Sequence, residues 1–234
     1  MRQMTTTTQQ ARATQGGFSL IELVIAMGVT LTVLTMATSL LSASFNVRSR
    51  ETRKSSALAD TQRALNIMTR ELTNAGYNLK SNGILAAQSD EDSVATLSDL
   101  NMNDAWDEDE IISYKLAANP NTNANSLVRY SLGATGDAAT TGTVLAEYVD
   151  TFKVRYYAKK RDYTTADCDV DAASAAAVTT PDKAQYIVLV VCATLPAVGT
   201  QQTPGYQPAS TVQLVSDAVL RNSTTLSNTG LPKY

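Results

Sequence analysis

The sequence predicts an α+β fold in which one long N-terminal helix packs on a mostly antiparallel β-sheet domain. The apolar run from Phe18 to Leu41 holds 24 residues with a single formal charge, Glu22, which is long enough for a helix to cross about 30 Å of hydrocarbon. Later in the 234-residue chain, short β-rich segments are separated by Asn, Pro, Gly or Asp clusters. We therefore expect a leader peptide at 1–17, a long helix at 18–76 and a globular β-rich domain at 77–234.

The second half of the predicted helix is amphipathic. Leu58, Leu65 and Leu72 recur every seven residues, and no Gly or Pro occurs between Phe45 and Gly76. This spacing places an apolar stripe on one face of a helix, which would pack on the globular domain. Gly is favoured just after a helix C-terminus, so Gly76 is the predicted stop.

Six later segments have the composition of strands: 110–116, 126–132, 143–149, 151–158, 185–195 and 211–220. Phe152, Val154 and Tyr156 alternate with more polar residues, which predicts one buried face. The stretch 186–191 is apolar throughout and is the predicted central strand. Residues 78–106 are polar and acidic, so we expect a surface connection there. Residues 163–183 are the predicted excursion between neighbouring strands.

The net charge and the lack of histidine argue against several classes of function. The net charge is −3, and removal of 1–17 leaves 17 basic against 22 acidic residues, or −5. An acidic chain disfavours nucleic acid binding by default, although Lys159, Lys160 and Arg161 form a local basic patch. No histidine is present, which excludes His-based triads and His-containing zinc sites. We expect neither an enzyme nor a bound cofactor.

The N-terminal leader differs from an ordinary secretory signal. It is polar, contains Arg2 and Arg12 and no acid, and its small pair Gly16-Gly17 precedes the apolar run instead of following it. A cut at this pair would leave the apolar helix on the mature chain. Positive charges before the span are expected to keep the leader cytoplasmic and send the C-terminal bulk outward.

The stretch Gly17-Phe18-Ser19-Leu20-Ile21-Glu22-Leu23 is followed at once by the apolar helix. It closely resembles the N-terminal signature of type IV prepilins and of type II secretion pseudopilins. The resemblance implies cleavage between Gly17 and Phe18 by a prepilin peptidase and N-methylation of the new Phe18 amine. It also implies a pilin-like fold and a structural role in a filament.

Glu22 is a charged side chain inside an apolar helix. A carboxylate in hydrocarbon costs several kcal/mol unless it is paired or neutralised. Cleavage after Gly17 would create an ammonium on Phe18, and in a filament this amine could pair with Glu22 of a neighbouring subunit. Such a pair would fix the axial register between helices, so Glu22 is the predicted assembly residue.

A second stretch, Leu65-Asn66-Ile67-Met68-Thr69-Arg70-Glu71-Leu72-Thr73-Asn74-Ala75-Gly76-Tyr77, resembles the helix end of PilW-type minor pilins and J-type pseudopilins. Major pilins commonly carry a helix-breaking Pro in the apolar segment, and 18–41 has none. The resemblance therefore implies a minor pilin that primes a type IV pilus or sits at its tip. The alternatives are a J-type pseudopilin of type II secretion, or a tip module for adhesion or DNA uptake.

These resemblances also imply partners and a location. The expected partners are the prepilin peptidase, other minor pilins and the major pilin or pseudopilins, the inner-membrane assembly platform and the membrane itself. Before assembly the chain would cross the inner membrane once with its C-terminal domain in the periplasm. Afterwards it would belong to the filament, with the tip as one possible position.

Cys168 and Cys192 are the two cysteines of the chain. They either form a disulfide or remain two separate thiols, and an envelope location favours the disulfide.

Acidic runs at 107–110 and 167–171 raise the possibility of calcium binding, but neither has the spacing of an EF-hand loop, and solvated loops are the favoured interpretation. Five tyrosines could line a ligand surface, but packing in the core or the sheets is the favoured interpretation: Tyr148, Tyr156, Tyr157, Tyr163 and Tyr186.

Overall fold

The computed structural model describes residues 17–103, 107–118, 124–133, 141–170, 177–178, 180–203 and 205–223. The predicted leader therefore lies outside the described residues, except for Gly17. One long helix precedes the strands, and the elements in chain order are α1 Leu20–Asn74, β1 Ser93–Leu97, β2 Ile111–Ala118, β3 Asn125–Ser131, β4 Thr143–Glu147, β5 Val149–Tyr157, β6 Thr165–Ala166, β7 Asp169–Val170, β8 Tyr186–Leu195 and β9 Ser210–Val219.

The helix α1 has two halves with different surroundings. Its apolar first half is exposed on all sides, whereas its second half buries one face, made of Ala57, Thr61, Ala64, Leu65, Met68 and Leu72. Leu58 was predicted to share the buried face, and that prediction is wrong because it is 42% exposed. The sheets begin to cover the helix only at Ala57 and Thr61. Gly76 has a φ of 75° just after the helix, which confirms the predicted stop.

Two antiparallel sheets form the C-terminal domain. The first has the strand order β1-β2-β3-β4 and the second has the order β5-β8-β9, while β6 and β7 make a separate hairpin. Every strand pair in the described residues is antiparallel. Strand β8 is central in its sheet and buried along nearly its whole length, as its continuous apolar sequence predicted. The α+β fold with one long apolar helix on antiparallel sheets is therefore confirmed.

The main core lies between the buried face of α1 and the inner faces of both sheets. Leu65 and Leu72 of the helix meet Tyr114 and Leu127 of the first sheet and Leu189 of the second, all fully buried. A smaller cluster on the outer face of β8 contains Tyr157, Val170, Tyr186, Val188 and Val190. Within the predicted excursion at 163–183, Tyr163 and Val170 therefore cover part of this outer face.

The predicted surface connection at 78–106 is partly wrong, because it contains strand β1. Val94, Ala95 and Leu97 are buried, and β1 pairs with β2 from Ser93↔Lys115 to Leu97↔Ile111. The strand has only five residues, and both of its faces are covered, so no alternation of apolar and polar residues marks it. The acidic turns on either side dominate the composition of the segment.

The chain crosses itself closely just after α1. The Gly76 amide donates to the Leu97 carbonyl oxygen at 2.9 Å, and the Leu97 amide donates to the Gly83 carbonyl oxygen at 2.7 Å. A Cβ on Gly83 would lie 1.9 Å from the Gly76 nitrogen, and Gly83 has a φ of 74°. Glycine at this position therefore allows the helix end to be fastened to β1.

The Gly83→Ala substitution should lower the free energy of unfolding by about 3 kcal/mol, because it adds both a backbone clash and a strained φ. Thermal unfolding of the full chain in detergent micelles, followed by circular dichroism, measures the effect. Gly28→Ala is the matched control, since nothing lies within 4 Å of its Cβ position. Equal unfolding temperatures for the two variants would contradict the prediction.

Candidate functional site

The residues of the predicted cleavage and assembly site lie at the start of α1. Gly17 and Phe18 precede the helix and are exposed, Phe18 by 83%, and Ser19 is the N-cap residue. Glu22 is the acidic residue of the first helical turn, where the positive end of the helix dipole favours a carboxylate. The Gly17-Phe18 bond is therefore accessible, and Glu22 lies on the same exposed end.

A continuous apolar surface follows. Its best 18-residue window has a mean hydropathy of 2.1 and no buried residue, and within the described residues α1 is the one helix that is long and apolar enough to cross a membrane. The large apolar side chains of this surface are each 55% to 83% exposed: Phe18, Leu20, Ile21, Leu23, Val24, Ile25, Met27, Val29, Leu31, Val33, Leu34, Met36, Leu40, Leu41 and Phe45. Apolar patches of this size need lipid or partner helices to cover them.

The hydroxyl groups between Thr30 and Ser39 are satisfied within the helix. Thr30 donates to the Ala26 carbonyl oxygen at 2.6 Å, and Thr35 donates to that of Thr32 at 2.8 Å. Thr32, Thr38 and Ser39 bond the preceding turn in the same way. No partner outside the helix is needed for these groups, so the segment is compatible with lipid.

The globular domain first touches α1 near Ala43. Gly205 lies against the helix there, since a Cβ on this residue would come within 2.6 Å of the Ala43 Cα atom. Two turns further along, Arg50 is 8% exposed and its Nη1 has no hydrogen-bond partner in the part of the chain that is described. The exposed apolar surface therefore ends within a few residues of the predicted boundary at Leu41.

A polar cluster joins the end of α1 to the first sheet. The Tyr114 hydroxyl donates to Glu71 Oε2, and Arg129 Nε donates to both Glu71 oxygens at 3.1 Å. Burial, reinforced by the Glu71 charge, raises the pKa of Tyr114 above its usual range. Burial alone would lower the pKa of Arg129, but the bond to Glu71 outweighs it and raises that pKa. Sequence analysis missed this cluster, and its one signal is an acid, Glu71, beside the buried Leu72.

Cys168 and Cys192 form a disulfide with a Cα–Cα distance of 5.9 Å. Asp167 and Cys168 have φ values of 49° and 61° and connect β6 to β7, which is the geometry of a two-residue type I′ hairpin. The bond fastens this hairpin to the buried strand β8. Arg155 adds a second attachment, since its Nη2 donates to Asp169 Oδ2 at 2.6 Å and lowers the pKa of that carboxyl group.

Reduction of the disulfide should lower the free energy of unfolding by about 3 kcal/mol on the loop-entropy estimate. Denaturant unfolding of the full chain with and without reductant measures this difference. The double variant Cys168→Ala and Cys192→Ala is the control, because its midpoint should not respond to reductant. An unchanged midpoint for the unsubstituted chain after reduction and alkylation would contradict the prediction.

The acidic run at 107–110 acts as an acceptor for its own loop. Glu110 Oε1 accepts the Leu100 and Asn101 amides at 2.9 and 3.1 Å, and Asp107 Oδ2 accepts the side-chain amides of Asn101 and Asn103. Among the described residues no group of three or more His, Cys, Asp or Glu could hold a metal ion. The other acidic run, 167–171, ends outside the described residues.

The basic patch at 159–161 is smaller than its sequence indicates. Lys159 and Lys160 are exposed, but the Arg161 guanidinium lies over the Tyr157 ring at 5.1 Å from its centroid.

Of the five tyrosines that were expected to pack in the core or the sheets, Tyr156, Tyr157 and Tyr186 are buried and Tyr163 is partly buried. Tyr148 is 40% exposed, so packing in the sheet does not hold for that residue.

Residues 12–38 match the sequence model of the prokaryotic N-terminal methylation motif. Among solved structures, the chain is similar to a type IV-like pilin from Thermus thermophilus, with 14% sequence identity, a TM-score of 0.38 and coverage of 71% of this chain and 97% of that chain. No curated protein matches the sequence significantly.

One long apolar helix packed on antiparallel sheets is a pilin-like fold, and the methylation motif with the exposed apolar helix indicates membrane anchoring before filament assembly. The methylation motif at 12–38 supports the type IV pilin superfamily. Proteins of this kind assemble with other pilins and with membrane machinery. The predicted roles of Gly17, Phe18 and Glu22 belong to this motif and remain predictions.

Proposed function

We propose that the chain is a minor pilin, cleaved between Gly17 and Phe18 and used to prime a type IV pilus or to form its tip. The observation that carries the proposal is the methylation motif at 12–38, which extends into the first half of α1, an apolar segment that no part of the described chain covers. In this role the Phe18 amine of one subunit pairs with Glu22 of the next. The helix is first held in lipid and then in the filament core.

The proposed orientation places the leader in the cytoplasm and the sheets in the periplasm. The basic residues around the span do not support it, because Arg48, Arg50, Arg53 and Lys54 follow the span while Arg2 and Arg12 precede it. The orientation instead rests on the disulfide, because such bonds persist in oxidising compartments.

The continuity of α1 supports a minor pilin or pseudopilin over a major pilin. The helix runs 55 residues from Leu20 to Asn74 without a proline. Deletion of the gene discriminates between a minor pilin of a type IV pilus and a J-type pseudopilin of type II secretion. Loss of surface pili with normal exoprotein secretion would favour the minor pilin, and the reverse result would assign the chain to a type II secretion system.

The alternative to a structural subunit is a binding module at the filament tip that takes part in DNA uptake. The exposed cations available to it at 159–161 are reduced to two lysines. Reversal of Lys159, Lys160 and Arg161 to glutamate with normal DNA uptake and normal piliation would reject this alternative.

The intact mass of the native envelope protein tests the proposed function most directly. We expect a chain that begins at Phe18 and carries one additional methyl group, and that is recovered in sheared filaments or the priming complex. The same gene expressed without a prepilin peptidase provides the control and should give the full-length mass. A functional native protein that retains residues 1–17 would overturn the proposal.

A further inference from the structure

A groove of about 330 Å³ lies between the second half of α1 and strand β4. Arg63, Ile67 and Arg70 line one side of it, Arg129 closes the first sheet's side, and Val144 and Leu145 line the β4 side. We call this site the arginine groove. It lies on the globular domain, more than twenty residues beyond the apolar segment, and is separate from the Gly17 to Glu22 site.

The arginine groove has a local excess of positive charge in an otherwise acidic chain. Three guanidinium groups line it against one carboxylate, Glu71, which already accepts hydrogen bonds from Tyr114 and Arg129. Arg63 and Arg70 are exposed and form no hydrogen bond or ion pair with the part of the chain that the structure describes. Two unpaired guanidinium groups beside a concave surface attract an anionic partner.

The lining also has an apolar part. Ile67 lies between Arg63 and Arg70 on the helix, at the i+4 and i−3 positions that share one face. Val144 is 45% exposed on β4, and Leu145 packs from the groove into the main core. The partner should therefore present a carboxylate next to an apolar side chain. A nucleic acid backbone offers phosphates without apolar side chains and is the poorer match.

Strand β4 favours a polypeptide partner for a second reason. It is the last strand of its sheet, so its outer edge has no neighbouring strand among the described residues. The backbone N–H and C=O groups of an edge strand can pair with an extended segment of another chain. An arginine beside such an edge can then bind a carboxylate of that segment through two parallel hydrogen bonds.

We propose that the arginine groove binds an acidic segment of a neighbouring filament subunit. This inference rests on the proposed function, because a neighbouring subunit is present only if the chain assembles. The groove would add a specific contact between globular domains to the contacts made by the apolar helices. It would therefore select which subunit lies beside this chain.

Site-specific photo-crosslinking in cells tests the inference. p-Benzoyl-phenylalanine replaces Val144 at the rim of the groove in the full chain, and mass spectrometry identifies the crosslinked peptide. Tyr77, which is 44% exposed, is the matched control position outside the groove. The double variant Arg63→Glu and Arg70→Glu removes the charge, and Lys80→Glu with Lys160→Glu makes the same charge change elsewhere on the head.

We expect a crosslink from position 144 to a stretch of another filament subunit that contains Asp or Glu. Its yield should fall about tenfold in the Arg63→Glu, Arg70→Glu variant, since two charge-assisted contacts are lost, and stay within about twofold in the lysine control. Substitution of the crosslinked acid by arginine in the partner should restore the yield to the charge-reversed variant.

Four results would overturn the inference. The crosslink yield from position 144 could be unchanged by the Arg63→Glu, Arg70→Glu variant, or no higher than the yield from position 77. The crosslinked segment could contain no Asp or Glu, or the crosslink could be to nucleic acid. The filament fraction of the same cells separates the two proposals. Absence of the unsubstituted chain from that fraction would overturn the proposed function. Its presence, together with any of the four results, would overturn the arginine groove alone.

Discussion

Glu22→Ala should leave cleavage after Gly17 nearly intact and reduce recovery of the chain in sheared filaments or the priming complex by about a hundredfold. Breaking a buried charge pair costs about 3–5 kcal/mol, because the remaining charge loses its partner, and each 1.4 kcal/mol is a factor of about ten. In this variant the unpaired group is the Phe18 ammonium of the adjacent subunit. Quantitative immunoblots of filament and membrane fractions measure the change, and intact mass reports cleavage.

Glu51→Ala is the matched control for this prediction. Glu51 is an exposed acid on the same helix, but it lies beyond the apolar segment and next to basic residues. Its removal changes the net charge by the same amount without leaving an amine unpaired in an apolar environment. Equal recovery of Glu22→Ala, Glu51→Ala and the unsubstituted chain would contradict the pairing of Glu22 with Phe18.

The helix and most strands could be predicted from the sequence because their patterns are long or continuous. The apolar run and the absence of Gly and Pro between Phe45 and Gly76 both correspond to α1, and the apolar stretch at 186–191 corresponds to β8. The error at Leu58 has a physical reason. Its heptad position matches Leu65, but at this level the globular domain covers the side of the helix that carries Ala57, and periodicity contains no information about which side is covered.

Strand β1 and the polar cluster around Glu71 could not be predicted for a different reason. Both depend on contacts between segments that are distant in sequence. Arg129 lies 58 residues from Glu71, and Tyr114 lies 43 residues from it. The arginine groove combines α1 with β4 in the same way. Arg63 and Arg70 look like ordinary exposed residues of an amphipathic helix until β4 is placed beside them.

Gly17→Arg should block cleavage completely and leave a full-length protein in the membrane. Gly17 precedes the helix, is exposed and has nothing within 4 Å of its Cβ position, so an arginine fits without disturbing the fold. The expected loss would therefore reflect failed recognition by the peptidase that is proposed to cleave this bond. Intact mass should show residues 1–17 retained, and the filament fraction should lack the chain.

Ser19→Ala is the control for Gly17→Arg, because Ser19 makes no side-chain capping bond and should be dispensable for the helix start. Formation of the Cys168–Cys192 disulfide in both variants would show that the globular domain folds normally. A normal mature mass for Gly17→Arg would contradict the assigned cut. In the uncleaved chain the Phe18 nitrogen stays in a peptide bond and cannot carry a positive charge. Gly17→Arg and Glu22→Ala therefore remove opposite members of the same proposed ion pair, one through processing and the other directly.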